Sequence, residues 1–165
     1  MSTGRVRVAA VAGVAGLVVG IAATLTARRS EQPAPGAAVE RRVVRPDRAP
    51  STGLPFSAGI LAGDTLYISG HLGRDPVTSQ LVPGGIEAET RQSLANIGEV
   101  LKAAGMNFGD VTTVTAVITN FDDFATFNAV YQEFFPKDPP ARATVQVAAL
   151  NAGAHVEMQM IAVRR

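Results

Sequence analysis

PPARATVQVAALNAGAHVEMQMIAV, residues 139–163, is the stretch on which the fold turns. It holds two runs of period-two alternation, Ala143 to Ala149 and His155 to Val163, joined by Asn151-Ala152-Gly153, and this pattern predicts two strands. Val145 and Val147 share a face, as do Val156, Met158 and Met160, and both sets are expected beneath helices. Thr144, Gln146, His155, Glu157 and Gln159 then form a half-polar opposite face. Arg142 opens the stretch behind Pro139-Pro140, a stiff lead-in that holds it at a strand edge. Its guanidinium stays charged in a protein, and the planar fork matches a carboxylate.

Working back from this stretch, Phe124, Phe127, Tyr131 and Phe134 fall at helical spacing. The stripe reads as core with no ligand role, and Asn120 or Asp122 can cap its helix. Val111 to Thr119 is rich in β-branched residues and predicts a strand. Leu94, Ile97, Leu101 and Ala104 mark another helix, which Gly105 stops. The preceding Gly84-Gly85 lacks the lysine and spacing of a phosphate loop and reads as a turn. Ser57 to Ala62 and Thr65 to Ser69 flank Gly63-Asp64, which is hairpin chemistry. The order strand, strand, helix, strand, helix, strand, strand predicts a sheet with its two helices on one face. The uncovered face needs solvent or another copy, so a homo-oligomer is expected.

Composition removes several chemistries. There is no cysteine, the only lysines are Lys102 and Lys137, and the only histidines are His71 and His155, so thiol catalysis is excluded. His71, Asp75, His155 and Glu157 lack the usual ligand spacings, and no metal is expected. Residues 1–50 hold eight arginines against Glu31, Glu40 and Asp47, a net of +5. Residues 51–165 hold seven basic and eleven acidic side chains, a net of −4. A negative region with no basic stripe is poorly suited to collecting phosphates, so nucleic acid is not an expected partner.

Val8 to Ala27 has twenty residues without a charge, bounded by Arg5, Arg7, Arg28 and Arg29. That is about 30 Å of helix, the thickness of a hydrocarbon core. Residues 1–29 therefore predict a hydrophobic helix that anchors the chain in a membrane through residues 8–27. A cleaved secretory signal is the alternative, although good small-x-small sites are missing. The flanking arginines and the habit of simple amino-terminal anchors point to opposite sides, so a periplasmic or cytoplasmic domain stays open. Residues 30–51 carry Pro33, Pro35, Pro46 and Pro50 among dispersed charges and read as a disordered linker. The folded domain is then 52–165.

Several short motifs in this domain stand in a telling order. They are Pro55-Phe56-Ser57-Ala58, Leu66-Tyr67-Ile68-Ser69-Gly70-His71, Thr90-Arg91-Gln92-Ser93-Leu94-Ala95-Asn96-Ile97, Asp123-Phe124-Ala125-Thr126-Phe127-Asn128, Pro140-Ala141-Arg142 and Val156-Glu157-Met158. By these the stretch from Leu54 to Arg165 resembles the RidA (YjgF-like) family of reactive enamine and imine deaminases. The resemblance implies a chorismate-mutase-like α+β fold with a mixed sheet and two helices on one face, a homotrimer with clefts between subunits, and no cofactor. It further implies hydrolysis of 2-imino acids, such as 2-iminopropanoate formed from 2-aminoacrylate, to keto acids and ammonia. Within it Arg142 takes the role of carboxylate grip and Glu157 that of water placement, with Ser69, Gly70 and Asn128 at substrate-side positions.

Two departures complete the substrate-binding set. The family usually reads Pro-Tyr-Ser where this chain has Phe56, and Ser-Gly-Gln where it has His71. Phe56 lacks the phenolic hydroxyl, which bears on rate and substrate preference more than on fold. It also favours a competing reading, a non-catalytic module that binds small carboxylates while tethered to a membrane. The chemistry asked of an enzyme here is modest. An imine carbon beside a carboxylate is already electrophilic, so the protein must hold it, aim one water and help ammonia leave.

Overall fold

The computed structural model describes residues 38–47 and 53–165. Six strands form one sheet: β1 (Arg41–Val44), β2 (Gly59–Ala62), β3 (Thr65–Leu72), β4 (Val111–Ile118), β5 (Ala141–Gln146) and β6 (Val156–Val163). Two helices, α1 (Gly85–Ala103) and α2 (Phe124–Phe134), interrupt them. The strand order is β1-β2-β3-β6-β4-β5. Only β4 and β5 run parallel, as they must when α2 carries the chain from one to the other. This is the α+β architecture expected, a mixed sheet with two helices.

Alternation places the core. Val156, Met158, Met160 and Ala162 of β6, Leu66 and Ile68 of β3, and Val114, Ala116 and Ile118 of β4 are all buried on one face. There they meet Leu94, Ile97, Val100 and Leu101 of α1 and Phe127, Val130 and Tyr131 of α2. The β2–β3 hairpin turns at Gly63-Asp64 as read, with Ala62 opposite Thr65 and Gly63 at φ 58°. Asn120 accepts a bond from the Asp122 N–H and caps the short turn Phe121–Asp123 that leads into α2. Gly105, at φ 72°, follows the end of α1.

Two expectations need correction. Residues 30–51 do not all behave as linker, because Arg41–Val44 is an edge strand paired with β2 from Arg41↔Ala62 to Val44↔Gly59. Val44 is fully buried while Arg41 and Arg42 stay exposed, so one apolar side chain docks the strand and charges guard its free edge. The expected anchor, residues 8–27, lies outside the described residues. Among the described residues no helix is long and apolar enough to cross a membrane.

The second correction reverses β5. It spans Ala141–Gln146, not Ala143–Ala149, and Val145 faces away from the helices with 44% of its surface exposed. Parallel pairing sets Arg142 beside Val114 and Thr144 beside Ala116, and a residue shares the face of its partner. Arg142 therefore lies on the helix-covered face. Strand β6 does not pair with β5 either, since β4 stands between them.

Candidate active site

Strand β3 carries a bulge. Ile68 pairs with Met160 and His71 with Met158, so the intervening Ser69 and Gly70 share one opposing residue on β6. The extra residue keeps both Ile68 and His71 on the core face and bends the strand between them, a common way to re-aim side chains beside a site. Ser69 is tied down there: its N–H donates to the Ala58 carbonyl at 3.0 Å and its hydroxyl to the Ser57 carbonyl at 2.6 Å. These bonds hold the Phe56 segment against the bulge.

Glu157 comes from the opposite direction, on the open face of β6 across from Leu72. Its carboxylate rests on bare Gly70. A Cβ on Gly70 would overlap Oε1 and lie 2.9 Å from the carboxyl carbon, so only glycine admits the acid in this position. Phe56, Ser57, Ala58, Ser69, Gly70, His71, Asn151 and Glu157 line a cleft of about 1080 Å³. Phe56 stands at its wall, 52% exposed.

His71 is the buried member. Burial holds its imidazole below the ordinary 6.5, with the Ala58 carbonyl pulling the other way, so the ring is neutral at pH 7. Its Nε2 has no hydrogen-bond partner among the described residues. The backbone here is anchored to α1, where Ser93 Oγ donates to the His71 carbonyl at 2.7 Å.

Arg142 and Asn128 are elsewhere. Arg142 Nη2 donates to Asn128 Oδ1 at 2.6 Å, and its guanidinium carbon lies 4.4 Å from the Tyr131 ring centroid, 5.1 Å from Phe127 and 5.9 Å from Phe124. The stripe read purely as core is thus also a cradle: three of its rings hold the cation by their electron-rich faces. Burial pushes the Tyr131 hydroxyl up to about 12 despite the opposing pull of Arg142, so it remains protonated.

Within one chain, then, the structure gathers Phe56, Ser69, Gly70, His71 and Glu157, and separately Arg142 with Asn128. Glu157 pairs with Val117, which pairs with Val145, while Arg142 pairs with Val114. Two strand spacings and three residues along the strand separate the two Cα atoms by roughly 14 Å. Their side chains also leave opposite faces of the sheet.

Sequence reasoning missed a further pair. Glu89, 3% exposed on α1, accepts from the His155 N–H at 2.8 Å and meets His155 Nδ1 at 2.6 Å. His155 immediately precedes β6, so this contact fixes the entry to the strand that carries Glu157. The signal was present in the helical phase, since Glu89, Ser93, Asn96 and Ile97 fall on one buried face. Among the described residues no three His, Cys, Asp or Glu side chains cluster as a metal site.

A mixed sheet backed by two helices, with a cleft at a strand bulge, defines a class that includes solved proteins. RidA from the Antarctic bacterium Psychrobacter sp. superposes with a TM-score of 0.72 at 37% identity, over 74% of this chain and 99% of that one. Escherichia coli TdcF, solved with bound serine, gives 0.72 at 35% identity over 75% and 99%. A 2-iminobutanoate/2-iminopropanoate deaminase of Bos taurus is 47% identical over 124 residues, 75% of this chain and 90% of the relative. Residues 46–164 match the family described as Endoribonuclease L-PSP, and the chain belongs to that family.

Proposed function

We propose that the chain hydrolyses 2-imino acids to 2-keto acids and ammonia, at sites that neighbouring protomers of a homotrimer complete for one another. The observation that carries the shared site is the placement of Arg142 and Glu157 on opposite faces of one sheet. A three-carbon substrate spans only a few ångströms, so one protomer cannot grip its carboxylate and aim water at the adjacent carbon. An acid from one copy and an arginine from the next can. The open face supports association, since Tyr67, Val145 and Val163 expose apolar surface there. The name of the bovine relative supports the reaction.

In this arrangement the Arg142 fork takes the substrate carboxylate in a charge-assisted pair, held in aim by Asn128 and the three rings. Glu157, seated on Gly70, accepts a proton from water as its oxygen attacks C2. The C=N π bond opens to a carbinolamine, nitrogen takes up both protons of the water, one of them by way of Glu157, and as the C–N bond breaks ammonia leaves and the oxygen becomes the keto carbonyl. Backbone groups at Ser69 and Gly70 approach the ligand closely and Phe56 supplies an apolar wall, while the neutral His71 ring lies buried on the core side of the bulge. The reaction needs no organic cofactor. The charge-free stretch 8–27 supports a membrane anchor for this domain, and carbonate extraction of membranes tests it.

The experiment is coupled deamination of freshly generated 2-iminopropanoate by the full chain. Arg142→Ala is expected to lower kcat/KM by about 100-fold, the value of a bidentate charged contact. Wild-type rates equal to the no-enzyme control would remove the deaminase reading. Calorimetric binding of 2-oxo acids in that case would select the tethered carboxylate-binding module instead.

A further inference from the structure

The cleft holds more positive charge than the reaction above uses. Arg45 and Arg74 line it beside Glu157 and His71. Arg45 directly follows β1, the strand that was expected to be linker, and Arg74 follows β3. Arg74 is half-buried and fixed at three points. Its Nη1 donates to the Ser79 carbonyl at 2.6 Å, its N–H to the Leu72 carbonyl at 2.8 Å, and its own carbonyl accepts from Asn96 Nδ2 at 2.8 Å.

Neither arginine pairs with a carboxylate among the described residues. Asp75, the acid that adjoins Arg74 in sequence, is engaged elsewhere, accepting from the Val77 and Thr78 N–H groups at 2.9 and 2.8 Å. An arginine held in a cleft by its own backbone and by neutral carbonyls keeps its charge available for a ligand. The cleft volume, about 1080 Å³ in one protomer, leaves room beyond a three-carbon acid.

We propose that Arg74, assisted by Arg45, binds a second carboxylate, and that 2-imino dicarboxylates of four or five carbons are preferred substrates of this site. The inference rests on the deaminase reading. The chemistry is unchanged: the oxygen of water bonds to C2, both its protons pass to nitrogen, the C–N bond breaks to release ammonia and leave the keto carbonyl, and the distal carboxylate passes through unaltered. Arg142 of a neighbouring copy takes the carboxylate beside the imine, and Arg74 takes the far one. Two cations at two ends read the length of the substrate as well as its charge.

The test compares imino acids released in place from alanine and from aspartate by flavin amino-acid oxidases, with full-chain wild type and Arg74→Gln. Hydrolysis is followed as the loss of imine trapped by semicarbazide. The wild type is expected to favour the aspartate-derived imine in kcat/KM. Arg74→Gln should lower that value about tenfold, as loss of one charged hydrogen bond does, and leave the alanine-derived imine within about twofold. An unchanged ratio, or an equal loss on both substrates, overturns the proposal. If the wild type hydrolyses neither imine, the deaminase reading fails, and calorimetry with oxaloacetate and pyruvate decides the second-carboxylate site by itself. Tighter oxaloacetate binding that Arg74→Gln removes supports the site, and equal affinities in both proteins overturn it.

Discussion

The bulge on β3 and the ring cradle on α2 place their charges by opposite means. At the bulge the Glu157 carboxylate is positioned by missing atoms, because it occupies the space a Gly70 side chain would fill. At the cradle the Arg142 guanidinium is positioned by a surplus of them, three aromatic faces and an amide oxygen. The first device contributes little to stability and the second is continuous with the core. Substitutions at the two ends should therefore separate activity from folding in opposite ways.

Phe127→Ala is the largest expected effect. Phe127 is fully buried, and emptying its site costs about 3–5 kcal/mol of stability, read as a drop in the urea midpoint. Any folded enzyme that survives should also bind substrate more weakly, since Arg142 loses a ring. Gly70→Ala makes the contrast. Its backbone is not left-handed, so stability is expected to change by no more than about 1 kcal/mol while kcat falls about 100-fold through displacement of Glu157. A Gly70→Ala protein with wild-type kcat would break the comparison at the bulge.

Asn128→Ala sharpens the cradle end. It removes the 2.6 Å bond to Arg142, and KM is expected to rise about fivefold to tenfold with kcat little changed. The smallest effect is one of pH. Burial lowers the His71 pKa in the folded chain, so as pH falls below 6.5 the unfolded chain takes up a proton that the folded one does not. His71 thus favours folding above pH 6.5, and that contribution declines as pH drops towards the folded pKa. The urea midpoint should fall between pH 7.5 and 5.5, and His71→Gln should flatten that slope.

How far these features were legible depended on whether their cause was local. The hairpin at Gly63-Asp64, the core face of α1, strand β4 and the buried run Val156, Met158, Met160 are written in local pattern, and they stand as read. Strand β1 was not legible, since four residues with two arginines, followed by Arg45 and Pro46, look like linker. Only pairing with β2 and burial of Val44 make them a strand. The face of β5 was misread because Thr144, Val145, Gln146 and Val147 alternate in either sense. The parallel register with β4, a long-range property, decides it.

Arg142 and Glu157 could be singled out from the sequence as candidates, but their relative placement could not. Arg142 and Glu157 are fifteen positions apart in a stretch that resembles one hairpin, yet β4 separates their strands. That insertion sets them two strand spacings apart, and the register turns their side chains to opposite faces of the sheet. Nothing in a single sequence marks the Gly70–Glu157 approach, because both partners look ordinary until the strands are in register.

Mixing two inactive variants tests the shared site most directly. In the proposed homotrimer, co-refolding Arg142→Ala and Glu157→Gln in equal amounts would give about a quarter of the sites an intact arginine from one copy and an intact acid from the next. The account predicts that about a quarter of the wild-type deaminase rate returns on mixing. A mixture as inactive as its parents, with mixed trimers shown to have formed, would mean that both groups act within one chain and would contradict it.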